Sequence, residues 1–228
     1  KKKYLKTKFK FICIIPLLLI FNKVLGYEII RDPIFEDYIN DLSEELKLKK
    51  IDVFLINNDI GNAFVIQNNI YFTTGLFKFL NYEDTLKAIY LHEYAHVIKN
   101  HFEAKTIKIQ QSSNKSNIYN LFSFGLAVLT TNTNIVVGAP ILLNNNFINE
   151  VSKHSINFEI EADNFMIEQI KKNKISTYEL ISFLNQPDKK SNNYFQTHPN
   201  NQDRINNLKN LNYKNTKNSE IFDWIKSK

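Results

Sequence analysis

Residues 92–96 read HEYAH, and this pattern constrains the fold more than any other feature of the 228-residue chain. Side chains four positions apart project from one face of a helix, about 6 Å apart, so His92 and His96 can reach one metal ion if the segment is helical. Glu93 follows the first His, where its carboxylate lies beside the metal and can polarise a bound water. The pattern therefore predicts a helix that carries a metal site on one face.

A second motif, EIEAD, offers the ligand that the first one lacks. Catalytic zinc is usually held by three protein ligands and a water. Glu159 and Asp163 are again four positions apart on a predicted helix, and Glu161 points elsewhere. We expect Glu159 to bind the metal and Asp163 to accept the free N–H of His92, which would fix its tautomer. Zinc, one ion per chain, would then be held between two long helices.

A third element lies near the end of the chain, where His198 precedes Pro199 and Arg204 follows. His198 and Arg204 would supply N–H donors to the oxyanion that forms during attack on an amide. Alternatively, His198 would fill the open zinc position and keep the enzyme latent. In a third interpretation, Pro199 only starts a helix and Arg204 makes a surface ion pair. Of the other His residues, we expect His101 to act as a charge partner at a helix C-terminus and His154 to be exposed.

Hydrophobic periodicity places these motifs in an α+β domain that is mostly helical and has a small antiparallel sheet. Asn81 is a good N-cap for the helix that carries the HEYAH motif. The predicted helices cover residues 35–49, 81 or 84–101, 149–172, 177–185, 203–211 and 221–226, and the predicted strands cover residues 51–56, 63–67 and 70–73. We expect residues 27–228 to form one domain.

The N-terminal segment has the organisation of an export signal. Residues 1–10 are rich in Lys, and an apolar run covers residues 11–21. The segment then ends with a small residue, Gly26. The run is about half of the ~20 residues that a membrane-spanning helix needs, so we expect a signal peptide that is cleaved after Gly26. An uncleaved membrane anchor is the alternative. Cleavage would remove Cys13, the single Cys, and leave no thiol chemistry.

The signal peptide, residues 1–26, also explains the charge of the chain. The whole sequence carries 29 Lys and Arg against 23 Asp and Glu, a net charge of +6. Seven of the Lys lie in residues 1–26, which hold no acidic residue, so 22 basic and 23 acidic residues remain. A near-neutral domain removes the electrostatic case for a nucleic-acid partner.

The three motifs, HEYAH, EIEAD and THPNNQDRI, resemble in sequence and order those of the HtpX, BepA and CAAX-prenyl-protease family of zinc metallopeptidases. The resemblance covers residues 50–212. Ser155 stands at the position of the family's Ser-Arg pair, but Ile156 replaces the Arg. The membrane helices of the embedded relatives and a tetratricopeptide tail are not evident. The resemblance implies a zincin-like metallopeptidase domain of the soluble, exported branch, with zinc as the cofactor and peptide bonds as the target.

These features together predict an exported zinc endopeptidase of the periplasm or extracellular space, acting in envelope protein quality control. Glu93 would serve as general base and then as general acid. A polypeptide substrate would add as a strand to an exposed sheet edge, for which residues 63–67, with Ala63, Phe64 and Val65 at the centre, are the candidate. The interrupted apolar stretch 121–143 is a candidate for peripheral membrane contact. The rival hypothesis is a chaperone-like envelope assembly factor whose zinc is structural or regulatory.

Overall fold

The computed structural model describes residues 23–24, 27–112, 145–185, 198, 201–211, 213 and 217–227. The strands within these residues are β1 (Lys23–Val24), β2 (Tyr27–Ile30), β3 (Val53–Ile56), β4 (Ala63–Ile66) and β5 (Asn69–Thr73). The helices are α1 (Pro33–Glu45), α2 (Thr74–Phe77), α3 (Glu83–Ile98), α4 (His101–Ser112), α5 (Asn145–Asn173), α6 (Tyr178–Leu184), α7 (Asn201–Leu208) and α8 (Glu220–Ser227). The expected α+β class with a predominance of helix is confirmed.

The sheet has the order β1-β2-β3-β5-β4 and is mixed, so the expectation of a wholly antiparallel sheet is wrong in one pairing. The predicted β4–β5 hairpin forms, but β5 lies parallel to β3, with Val53 opposite Ile70. The reason is burial: Ile70, Tyr71 and Phe72 are at most 4% exposed, which suits a central strand. β4 therefore becomes the last strand of the described sheet.

The main core lies between one face of the sheet and the helices. Helix α1 contributes an apolar stripe at helical spacing, which includes Phe35, Ile39 and Leu42. Helix α3 is buried on nearly its whole circumference, since it packs against both β4 and α5. A second, smaller apolar cluster on the other face of the sheet contains Phe64 and Tyr71 with stacked rings.

The helix that carries the HEYAH motif ends earlier than the periodicity predicts. Helix α3 stops at Ile98, and Asn100 adopts a left-handed backbone with φ of 54° before α4 begins at His101. Asn tolerates this conformation better than most residues because its short polar side chain interacts locally with the backbone. The helix predicted to run to His101 thus ends three residues earlier, and α4 is a separate helix that the periodicity does not predict.

Some expectations fall outside the described residues. These include the signal peptide up to residue 22 and the apolar stretch 121–143, and the cleavage after Gly26 remains a prediction. A chain cleaved there would keep β2 and lose β1 from the sheet edge. Among the helices in the described part of the chain, none combines the length and the apolar character needed to cross a membrane.

Candidate metal centre

The two His residues of the HEYAH motif lie side by side on α3. The Nε2 atoms of His92 and His96 are 3.1 Å apart, and the ring centroids are 4.8 Å apart. His92 is fully buried. One turn of helix therefore directs two imidazole nitrogens to the same point.

Helix α5 brings a carboxylate to that point. Glu159 Oε2 lies 3.2 Å from His92 Nε2, and Glu159 Oε1 lies 3.4 Å from His96 Nε2. Glu159 is 8% exposed and faces α3, because α3 and α5 pack against each other. The predicted third ligand is thus next to the two His residues.

His198 adds a fourth donor to the same cluster. Its Nδ1 atom lies 3.1 Å from His92 Nε2 and 3.0 Å from Glu159 Oε2. Its Nε2 atom lies 3.2 Å from Glu93 Oε1 and 3.3 Å from the carbonyl oxygen of Ala63. His198 therefore meets the donor set with one ring nitrogen, and the predicted base and the sheet edge with the other.

The donor set fits a tetrahedral divalent metal. The four donor atoms of His92, His96, Glu159 and His198 all lie within 4.8 Å of one another. Zinc holds His nitrogens at about 2.0–2.1 Å, so adjacent ligand atoms in a regular tetrahedron are about 3.3 Å apart. Five separations of 3.0–3.4 Å, which involve both carboxylate oxygens of Glu159, are close to this value. Imidazole and carboxylate are also ligand types that zinc accepts.

The electrostatics of the cluster favour positive charge between its members. Burial and the Arg204 cation oppose protonation of His92, but hydrogen bonds to Asp163 and Glu159 outweigh them and raise its pKa to about 9. Burial alone would raise the pKa of Glu159, yet His198 and His92 hold it well below the usual value. A bound cation would satisfy the same carboxylate.

Glu93 lies beside the cluster and is 1% exposed. Its Oε2 atom has no hydrogen-bond partner among the described residues, and burial is the main reason that its pKa is raised. A buried carboxylate without full hydrogen bonding is costly, so such a group is typically retained for a chemical role.

Asp163 and Arg204 contact the proposed ligands but do not belong to the donor set themselves. Asp163 Oδ1 lies 3.0 Å from His92 Nδ1, and its role as acceptor of the His92 proton stays a prediction. Arg204 Nε lies 2.7 Å from the same oxygen, and its Nη2 lies 3.3 Å from Glu159 Oε2. Arg204 is 2% exposed and contacts two carboxylates, so these contacts position ligands and do not themselves support the predicted donation to an oxyanion.

Sequence reasoning missed the contact between His96 and His101. The Nδ1 atoms of these residues are 3.0 Å apart, and His101 Nε2 lies 3.4 Å from Glu161 Oε2. Burial lowers the pKa of both imidazoles. The only signal in the sequence is the five-residue spacing, which on a continuous helix directs the two side chains to different faces.

The predicted substrate-binding residues are in β4. In the described sheet, β4 pairs with β5 along one side, and its other side is free. Across the β4–β5 pair, Thr73 N–H donates to the Asn62 carbonyl. Alternation along an antiparallel pair then directs the backbone N–H and C=O of Ala63 and Val65 away from β5. The contact of His198 with the Ala63 carbonyl agrees with this direction.

A mixed sheet, two packed helices and a His, His and Glu donor set beside a buried Glu define the class of HExxH metallopeptidases. Residues 31–212 match the sequence profile of peptidase family M48. The chain therefore belongs to peptidase family M48.

Individual relatives match over a shorter segment. The Beta-barrel assembly-enhancing protease of Escherichia coli (strain K12) is 35% identical over a 92-residue alignment that covers 37% of this chain and 19% of that protein. The protein of the same name from Yersinia pestis is 32% identical over 90 residues, 36% of this chain and 18% of that protein. The chain thus aligns with about a fifth of the length of the curated relatives it matches.

Proposed function

We propose that the chain is a zinc endopeptidase that hydrolyses unfolded or misassembled envelope proteins outside the cytoplasm. His92, His96 and Glu159 are the proposed ligands. The observation that carries the proposal is the position of Glu93, a buried carboxylate one residue from a metal ligand and next to an imidazole of the donor set.

The chemistry is divided between the metal and the side chains. Zinc, when bound, supplies the Lewis acidity that makes water nucleophilic near neutral pH. Glu93 takes the proton of the attacking water and returns it to the departing amine, because its raised pKa suits both directions of transfer. Asp163 keeps the His92 proton on Nδ1, so that Nε2 is free to act as a ligand.

We further propose that His198 holds a latent state. Its Nδ1 atom is within the donor set, and its Nε2 atom contacts the Ala63 carbonyl, a backbone group that faces the free side of β4. One imidazole would thus fill the fourth ligand position and also block a backbone carbonyl that a substrate would use. Once displaced, the same side chain would be available as an N–H donor to the oxyanion.

An extended polypeptide would bind along β4. Val65 offers a backbone N–H and C=O on the free side of the strand, two residues beyond Ala63, and this spacing matches an added strand. Binding through the backbone recognises extended chains of many sequences, which is why unfolded proteins are the proposed substrates. The relatives are named for the enhancement of β-barrel assembly, and this supports a substrate in the envelope.

The proposed location follows from the N-terminal segment. A basic stretch, a short apolar run and Gly26 at the predicted cleavage position support export. N-terminal sequencing of secreted material should start at Tyr27. A start before residue 22 would instead support the membrane-anchored alternative.

A second candidate function is a chaperone-like assembly factor. A closed set of four protein ligands is typical of structural zinc sites, and His198 completes such a set. The buried carboxylate of Glu93 argues against this candidate, since a structural site has no use for it.

The deciding experiment compares the zinc-loaded chain with Glu93→Gln on an unfolded protein substrate. We expect the substitution to lower kcat/KM by about 10²–10⁴, the usual contribution of a general base, while bound zinc stays at one ion per chain. His96→Ala should lose both zinc and hydrolysis. Cleavage by Glu93→Gln at the wild-type rate, or no cleavage by either the zinc-loaded wild type or the zinc-loaded His198→Ala variant, would contradict the enzyme proposal.

A further inference from the structure

The imidazole of His101 lies next to the donor set but has no role in the function proposed above. His101 is 4% exposed at the first position of α4, and its ring stacks on Phe158 with centroids 4.3 Å apart and planes 14° apart. Stacking fixes the plane of the ring. Its two nitrogens are therefore directed at two defined partners and do not rotate freely.

Those partners form a chain of hydrogen bonds that starts at a proposed ligand. His96 Nε2 faces the donor set, so its lone pair is on Nε2 and its proton is on Nδ1. His96 Nδ1–H then donates to His101 Nδ1 at 3.0 Å. The proton of His101 is consequently on Nε2, which faces Glu161 Oε2 at 3.4 Å.

The turn between α3 and α4 creates this contact. On a continuous helix, residues five apart are separated by about 140° around the axis and do not meet. The left-handed conformation of Asn100 interrupts the helix, and its carbonyl accepts the first hydrogen bond of α4 from Ala104 N at 3.0 Å. His101 is thereby returned to the face of α3 that carries His96.

We infer that His101 is a positioning residue that orients His96 toward the metal by accepting its Nδ1–H. This inference rests on the proposed metal site. The two His ligands are then supported differently: His92 by the carboxylate of Asp163, and His96 by a neutral imidazole whose own proton is directed at Glu161. An imidazole acceptor polarises its partner less than a carboxylate does, so His96 is the weaker donor of the two.

The test uses the full chain and measures zinc affinity by competition with a chromophoric chelator, which does not depend on hydrolysis. His101→Phe keeps an aromatic ring to stack on Phe158 but removes the acceptor, and we expect zinc to bind about 10–100-fold more weakly. His101→Asn keeps an oxygen near the position of Nδ1 and should restore the affinity to within about three-fold of wild type. Glu103→Gln, an exposed change on the same helix, is the matched control.

Two further measurements separate positioning from general damage. The melting temperature of each zinc-free variant should equal that of Glu103→Gln, and the visible spectrum of the cobalt-loaded protein should change in His101→Phe but not in His101→Asn. Wild-type zinc affinity in His101→Phe, or equal losses in His101→Phe and His101→Asn, would overturn the inference. If His96→Ala also retains wild-type affinity, the proposed metal site itself is wrong.

Discussion

At the scale of single residues, His198 is placed between two functions. Its Nδ1 atom lies with the proposed ligands, while its Nε2 atom lies 3.2 Å from Glu93 and 3.3 Å from the Ala63 carbonyl. A side chain that fills the fourth position leaves no room there for water. Its removal should therefore open the site.

We expect His198→Ala to raise the rate of hydrolysis of an unfolded substrate several-fold, because the substitution frees both the fourth ligand position and the backbone of β4. The measurement is kcat/KM for wild type and variant at equal zinc occupancy. A fall in kcat with unchanged KM would instead identify His198 as a donor needed in the transition state.

The two Arg residues of the chain offer a matched pair of substitutions. Arg204 is 2% exposed and pairs with Asp163 and Glu159, whereas the side chain of Arg31 is 66% exposed in its pair with Glu36. In zinc-free protein, we expect Arg204→Met to lower the free energy of unfolding by about 3 kcal/mol, because it removes the buried guanidinium that contacts both carboxylates.

Arg31→Met is the control and should cost about 1 kcal/mol or less, as exposed ion pairs do. Urea denaturation of both variants gives the comparison. Equal losses would mean that Arg204 contributes no more than a surface charge.

The residues of the site differ in how far the sequence predicts them. His92 and His96 follow from the spacing of their motif, since helical periodicity alone brings i and i+4 together. Glu159 follows from the third protein ligand that catalytic zinc needs and from the EIEAD motif, not from periodicity. His101 does not follow from its spacing, because its contact depends on the left-handed backbone at Asn100, and periodicity carries no information on a one-residue change of φ. The contacts of Arg204 depend on where α7 packs, which is equally non-local.

At the scale of helices and strands, α3 begins with a cap that comes from another helix. Tyr82 provides no side-chain cap. Instead, Glu179 of α6 accepts hydrogen bonds from Asn81 N and Tyr82 N, both at 2.8 Å, and from the Thr85 hydroxyl at 2.7 Å. Local sequence indicated Asn81 as the cap, and a partner 98 residues away takes that place.

We expect Glu179→Gln to lower the free energy of unfolding by about 1–2 kcal/mol, since a neutral amide keeps one acceptor but loses the charge at the helix N-terminus. Glu168→Gln, an exposed change on α5, should alter it by no more than about 0.5 kcal/mol. Chemical denaturation measures both. Indistinguishable midpoints would show that α3 does not depend on the remote cap.

The sequence predicts the order of the strands less well than the positions of the helices. The β4–β5 hairpin follows from two apolar runs around Asn68 and Asn69. The parallel pairing of β3 with β5 does not, because short apolar strands fit either neighbour equally well. Complete burial of Ile70 and Phe72 favours a position for β5 inside the sheet, between β3 and β4. This burial arises only when the helices cover one face of the sheet.

At the scale of the whole molecule, a bound metal should stabilise the fold by joining separate segments of the chain. The proposed ligands come from α3 and α5, and His198 is from a third segment, so a bound ion stabilises the folded chain only. Zinc at 100 times its Kd should add about 2.7 kcal/mol. For a chain of this size, that corresponds to about 5–10 °C in melting temperature.

Calorimetry before and after chelation gives the measurement. Glu93→Gln should show the same loss on chelation as wild type, and His96→Ala should show none. A melting temperature that does not respond to chelator in the wild type would contradict the assignment of these ligands.

The separation of the ligands along the chain also has a consequence for the timing of activity. Glu159 follows His92 by 67 residues and His198 follows it by 106, so no short peptide can assemble the site. Closing such long loops is slow and occurs only as the tertiary structure forms. If the chain hydrolyses unfolded proteins as proposed, a newly synthesised copy cannot cleave its neighbours or itself until its last third has folded onto α3.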